Sequence, residues 1–186
     1  ADLAEVGPED TVLLLGAGPV GFCTLLCLLQ KQPKQILVCE RDPQRRAFVQ
    51  SHFPQVLVLS PDQALDTVRA VSAHGGADRV IEAAGGEETF SMAWQCARPN
   101  AIVVLVAMYD RPQSLPLPEM YGKNLIFKTG GVDACRCADL LEWIRQGVID
   151  TTPLLTHTFP LSRIEDAYDL FEHRRDGCMK IAIENL

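Results

Sequence analysis

Basic residues are the scarcer charge in this chain. Lys and Arg number 17 against 24 Asp and Glu, a net charge of −7. A protein that grips a phosphate backbone normally carries a basic face, so this balance argues against a nucleic-acid partner. Long apolar runs are missing too. The most apolar stretch, Val20 to Leu29, is too short to span a bilayer and lacks the basic start of a signal peptide. A cytoplasmic protein with no membrane partner is expected. Metal-binding patterns are equally absent. The seven cysteines form no CxxC pair, and their odd number suits no disulfide framework. The four histidines (His52, His74, His157, His173) are scattered, with no HxxxH or His–Cys spacing, so no metal ligand is assigned. Internal repeats and low-complexity tracts are not found.

What is present is an ordinary globular composition, 47% hydrophobic and 22% charged, in a chain long enough for one complete domain with a short appendage. Short apolar runs alternate with helical stretches. "TVLLL" (11–15), "QILVC" (35–39), "VLVL" (56–59), "RVIEA" (79–83), "IVVLV" (102–106) and "LIFKT" (125–129) read as strands. Their near-continuous apolar character suits strands covered on both faces, as in a parallel sheet. Helix starts stand between them. Asp42-Pro43 offers an N-cap with proline behind it, and Ser60-Pro61-Asp62-Gln63 has the capping-box spacing. Gly85-Gly86-Glu87-Glu88 places carboxylates where a first helical turn would carry them.

This alternation predicts an α/β fold, a doubly wound parallel sheet (Rossmann fold) over residues 1–150. Residues 107–123, with three prolines, read as an irregular connection, and a helix fits Ala134 to Gln146. A short helix–strand appendage follows over 151–186, built from "LLTHTF", a helix from about Ser162 to Arg174 and the strand "CMKIAIE".

The most specific local signal is Gly16-x-Gly18-x-x-Gly21, between the first strand and the first helix. In that position the first glycine permits a tight turn, the second lets backbone approach a pyrophosphate, and the third lets helix and strand pack closely. The helix N-terminus supplies N–H groups and partial positive charge, so Gly16, Gly18, Pro19, Val20 and Gly21 form the candidate phosphate cradle. A glycine turn alone also fits a buried βαβ connection with no ligand. The discriminating partner is Glu40, which ends the second strand where the dinucleotide fingerprint has its ribose acceptor. A carboxylate there accepts from both ribose hydroxyls and repels a 2′-phosphate, so NAD is favoured over NADP. Arg41 and Arg45 complicate this, because a guanidinium there can hold a 2′-phosphate or stack on adenine; a solvated helix face is the plainer reading of Arg45 and Arg46.

"GAGPVG", "CERDP", "GGADRVIEAAGG", "GKNLIFKTGG" and "LLTHTFPLSRIEDAYDLFEHRRDGCMKIAI" together resemble the zinc-dependent alcohol dehydrogenases, the medium-chain family that includes polyol and threonine dehydrogenases. The resemblance runs through nearly the whole chain in the same order. It implies a coenzyme-binding domain that serves hydride transfer between a primary or secondary alcohol and a nicotinamide cofactor. It also implies that the zinc ligands lie in a separate catalytic domain upstream, so that this chain binds cofactor but is inactive alone. By the same resemblance Ala84 and Gly85 pass the nicotinamide-side ribose. Val106, Ala107, Thr129 and Gly130 would offer backbone groups to the carboxamide; simple strand termini are the plainer alternative. The segment 151–186 would pack against the absent catalytic domain, and "LIFKTGG" is an edge open to pairing in a homo-oligomer.

Two other classes stay open on the residues alone. An NAD(H)-binding redox sensor needs only the loop and Glu40. A Rossmann-like methyltransferase also uses a glycine loop and a strand-two acid, but usually has an acid before the loop, where this chain has Leu15. A short-chain dehydrogenase is disfavoured because no Tyr-x-x-x-Lys pair occurs.

Overall fold

Strand β1 (Thr11–Leu15) is buried at all five positions, because helices cover both faces of the sheet it centres. The computed structural model describes residues 1–131 and 134–185. β1 pairs in parallel with β2 (Gln35–Cys39) on one side and β4 (Ala77–Glu82) on the other. β3 (Leu57–Leu59), β5 (Ala97–Leu105) and β6 (Ile126–Thr129) complete a six-stranded parallel sheet in the order β3-β2-β1-β4-β5-β6. The doubly wound parallel sheet expected from the sequence is borne out. Strand order reverses between β1 and β4, and the crevice beyond their carboxyl ends is where such sheets take ligands.

Alternation along the strands divides the core in two. Leu13, Leu15, Leu37, Cys39, Val80 and Val103 face Ala64 and Val68 of α3 (Pro61–Val71), with Ala93 and Cys96 of α4 (Thr89–Cys96). Val12, Leu14, Ile36, Val38, Ile81 and Val104 face Leu25 and Leu28 of α1 (Pro19–Lys31) and Val49 of α2 (Pro43–His52). Both sets are apolar, which explains why the strands read as unbroken apolar runs. Each fully buried Leu or Val is worth roughly 1.5–3 kcal/mol relative to exposure, so this double layer dominates the stability of the sheet.

The helix starts follow their sequence signals at two of three places. The Asp42 carboxylate accepts from the N–H groups of Gln44 (2.8 Å) and Arg45 (3.2 Å). Gln63 Oε1 accepts from Ser60 N at 3.2 Å and from Ser60 Oγ at 2.8 Å. The third differs. Helix α4 begins at Thr89, and its first turn holds no acid; Gly85 lies at φ +65° and the Thr89 hydroxyl donates to Gly86 O at 2.9 Å. That turn uses up the residues expected to open the helix. Within 107–123 one short helix forms, α5 (Leu117–Met120).

At the opposite end of the sheet, Asp78 is 8% exposed and accepts from Thr11 N at 2.8 Å and from the Arg98 guanidinium. Lys123 donates to the carbonyls of Trp94 (2.9 Å), Gln95 (3.0 Å) and Ala97 (2.9 Å), closing the end of α4.

The chain divides into two compact units, Ala1–Val132 and Asp133–Leu186. Helix α6 (Cys137–Arg145), grouped with the first domain in the sequence reading, falls in the second unit. That unit also holds a parallel pair, β7 (Leu155–Pro160) with β8 (Lys180–Glu184), and α7 (Ile164–Glu172). Ile164, Tyr168, Phe171, Ile181 and Ile183 line a shallow groove between α7 and these strands. No helix among the described residues is long and apolar enough to cross a membrane.

Candidate functional site

The glycine loop turns the chain from β1 into α1. Gly16 sits at φ +95°, a conformation that side chains rarely adopt, and donates its N–H to Cys39 O at 2.8 Å. A Cβ at Gly16 would lie 3.0 Å from Ala84 Cβ, so the loops after β1 and β4 touch. A Cβ on Gly21 would overlap the Gly16 carbonyl, which is how close α1 comes to the strand end. Gly18 is different. The nearest atom to an added Cβ is Arg45 Nη1 at 3.8 Å, so the space over this N-cap residue is open. Pro19 occupies the first turn, no side chain caps α1, and Val20 is 53% exposed. The first-turn N–H groups of this 13-residue helix therefore open onto the loop with their partial positive charge. Uncapped donors beside an open glycine fit a bound pyrophosphate.

Glu40 stands beneath this loop. It is 6% exposed, its Oε2 accepts from Ala17 N at 2.7 Å, and its Oε1 accepts from Asp42 N at 2.9 Å. The carboxylate thus ties the glycine loop to the turn that starts α2. An ionised carboxylate has about four acceptor sites, so two remain for hydroxyl donors. Arg41 is exposed, and Arg45 is half-buried with its guanidinium beside Gly18. Arg46 does not point freely into solvent: its Nη1 donates to Glu40 O (2.8 Å) and Arg41 O (2.7 Å), holding that turn closed.

On the other side of the reversal lies a residue that sequence reasoning passed over. Glu82 ends β4 and is wholly buried. Its Oε1 accepts from Ala84 N (2.8 Å) and Gly85 N (2.9 Å), and its Oε2 accepts from the Tyr109 hydroxyl at 2.7 Å. Its backbone carbonyl accepts from Val106 N (2.9 Å) and Ala107 N (3.1 Å). Burial and the bond to Glu82 push the Tyr109 phenol well above its ordinary range.

Four of the six positions expected on this side thus have their N–H groups engaged by Glu82. Ala84, Gly85, Val106 and Ala107 are left with carbonyls and side chains to present. Gly130 N is also engaged, by Leu105 O at 3.1 Å, and Thr129 is exposed at the end of β6. The structure brings Gly16 against Ala84 and Ala107 against Gly85, where a Cβ on Gly85 would lie 3.3 Å from Ala107 Cβ. The glycine loop and the two far loops therefore form one continuous rim.

No group of three or more His, Cys, Asp or Glu converges as a metal site among the described residues. Cys39 and Cys96 are buried in the core, with burial pushing their thiols up to about 12 and about 11. Cys135 and Cys137 are exposed.

Comparison with known proteins gives a consistent picture. No protein-family model matches the chain. An alcohol dehydrogenase of Cupriavidus necator is 27% identical over 99% of this chain and 52% of its own length. Sorbitol dehydrogenase of Arabidopsis thaliana is 30% identical over 89% of this chain and 48% of its own. Among solved structures, zinc-dependent alcohol dehydrogenase 2 of Streptococcus pneumoniae superposes with a TM-score of 0.91 at 28% identity, covering 98% of this chain and 53% of that one. Two further structures share the fold: an Escherichia coli alcohol dehydrogenase (rspB) complexed with NADH, TM-score 0.85 at 24% identity, covering 98% of this chain and 53% of that one, and a zinc-binding dehydrogenase of Sinorhizobium meliloti bound to NADP, TM-score 0.83 at 18% identity, covering 99% and 55%. The chain spans about half the length of the curated relatives it matches. The family resemblance drawn from the sequence is borne out.

Proposed function

We propose that this chain is the coenzyme-binding portion of a zinc-type medium-chain alcohol dehydrogenase and binds NAD(H) across the crevice between β1 and β4. The observation that carries this is Glu40: a buried carboxylate held under the glycine loop by Ala17 N at 2.7 Å, with acceptor capacity to spare. The adenosine ribose would donate to it, the pyrophosphate would sit on Gly16, Gly18, Pro19, Val20 and Gly21, and Arg45 would flank the phosphates. Ala84, Gly85, Val106, Ala107, Thr129 and Gly130 would wall the nicotinamide half.

When bound, the nicotinamide ring supplies the hydride acceptor or donor. This chain's residues bind the cofactor, orient it and shield one face of it. The substrate is a small alcohol or polyol, and its activation by zinc is assigned to residues outside these 186. The chain alone would then bind cofactor with negligible turnover. The second unit would serve as packing surface for the catalytic portion, in a cytoplasmic enzyme that pairs through the β6 edge. Preference for NAD rests on Glu40, whose charge would repel a 2′-phosphate; exposed Arg41 works in the opposite direction.

Titration of the chain with NADH, NADPH and S-adenosylmethionine tests this. NADH is expected to bind most tightly and S-adenosylmethionine not at all. Failure to bind either nicotinamide cofactor would overturn the reading, and tighter NADPH binding would overturn the role given to Glu40.

A further inference from the structure

Glu82 has more to do than end a strand. A wholly buried carboxylate is costly unless its oxygens are met by donors, and in this chain all of them are met by two loops. Oε1 is met by Ala84 N and Gly85 N of the loop after β4, and Oε2 by the Tyr109 hydroxyl of the stretch after β5, while Val106 N and Ala107 N of that stretch bond the Glu82 backbone carbonyl. The same two loops are in close packing, since a Cβ on Gly85 would come within 2.7 Å of Met108 O. β4 is also the strand paired with β1, with Glu82 directly opposite Leu15, the residue before the glycine loop. Glu82 therefore lies at the reversal of strand order, on the side away from Glu40.

We infer that Glu82, acting with Tyr109, is a positioning residue for the cofactor: it locks the loops after β4 and β5 into one preformed wall for the nicotinamide half of the dinucleotide. The inference rests on the dinucleotide reading above. Glu40 and the glycine loop serve the adenosine diphosphate half, whereas the hydrogen bonds of the Glu82 carboxylate go to Ala84, Gly85 and Tyr109. Preformed loops avoid an ordering cost on binding, so loosening this wall weakens only the ligand that reaches it.

That division gives the test. ADP reaches only the Glu40 side, whereas NADH reaches both. Binding of each to the full chain is measured for the wild type, Tyr109→Phe and Glu82→Gln. Tyr109→Phe removes only the hydroxyl, and Glu82→Gln keeps an acceptor for Ala84 N and Gly85 N while its amide donates to the Tyr109 oxygen, so both retain the fold. In each, ADP affinity should stay within about twofold of wild type while NADH affinity falls about tenfold, the scale of one charged hydrogen bond removed in Tyr109→Phe or made neutral in Glu82→Gln. Equal losses for ADP and NADH would reduce Glu82 to a general structural role and overturn the inference. Unchanged NADH binding in both variants would overturn it as well. A wild type that binds ADP but gains nothing from the nicotinamide half overturns the wall alone. A wild type that binds neither ligand overturns the cofactor reading itself.

Discussion

The Glu40 carboxylate accepts the Ala17 N–H at 2.7 Å, linking the end of β2 to the glycine loop after β1. With Asp42 N bonded to its other oxygen at 2.9 Å, this one side chain satisfies two backbone donors and remains an acceptor for a sugar. Glu40→Ala should therefore cost stability and affinity together. Two N–H groups lose their partner, at about 1–3 kcal/mol for each that stays buried, and the ribose loses its acceptor. Thermal melting and NADH titration of the variant read the two effects. A variant that melts like wild type and binds NADH normally would remove Glu40 from both roles.

The glycine loop allows its structural and binding duties to be separated. Gly21→Ala puts a methyl group into the Gly16 carbonyl, which is backbone and cannot step aside. Overpacking of this kind costs about 1–3 kcal/mol or more, and the melting temperature should fall clearly. Gly18→Ala meets nothing nearer than Arg45 Nη1 at 3.8 Å. It should melt within about 2 °C of wild type, yet bind NADH about tenfold more weakly as the methyl group intrudes on the phosphates. A Gly18→Ala variant with unchanged affinity would place the phosphates elsewhere.

The parts of this fold written in local pattern were legible, and those written in distant partnerships were not. β1 and β2 stand where "TVLLL" and "QILVC" place them, because turn residues bound each run and both sheet faces are covered. Asp42 caps α2 because its partners are two and three residues on. Glu40 was readable from its spacing to the glycine loop, although its bonds to Ala17 and Asp42 were not. Glu82 gave no comparable signal. As the last polar residue of "RVIE" it resembles any strand end meeting water, and its Tyr109 partner lies 27 positions away in the proline-rich connection. The start of α4 was misplaced for a local reason: the turn at Gly85 and the Thr89–Gly86 bond delay the helix past its two glutamates.

The thiols should divide by burial. Cys39 and Cys96 are buried, and the cost of a desolvated thiolate pushes them up to about 12 and about 11. At pH 8 almost none of either is thiolate, which is the reactive form. Exposed Cys23, Cys135 and Cys137 should react with a disulfide reagent in the native state, while Cys39 and Cys96 wait for unfolding. Peptide mapping after brief native labelling decides this, and early modification of Cys39 would contradict the packing of β2.

Acid should act on the sheet through Asp78. Burial works to raise its carboxyl, but the Arg98 guanidinium and the Thr11 N–H outweigh that and hold it below the usual carboxylate range. The unfolded chain, with an aspartate near about 3.9, then binds this proton more readily than the folded one. Stability from the Asp78 contacts is complete above that value and is lost as pH falls through the lower folded one. Asp78→Asn removes the charge at every pH, leaving Arg98 without its counter-ion. The variant should be less stable than wild type by about 1.5–3 kcal/mol near neutrality, the worth of a hydrogen bond to a charged group. The gap should narrow below about pH 4 as the wild-type carboxyl takes up its proton. Urea unfolding of both proteins from pH 7 down to the acid limit of folding measures it. A gap that stays constant over that range would mean that Asp78 contributes by shape and hydrogen bonding rather than by charge.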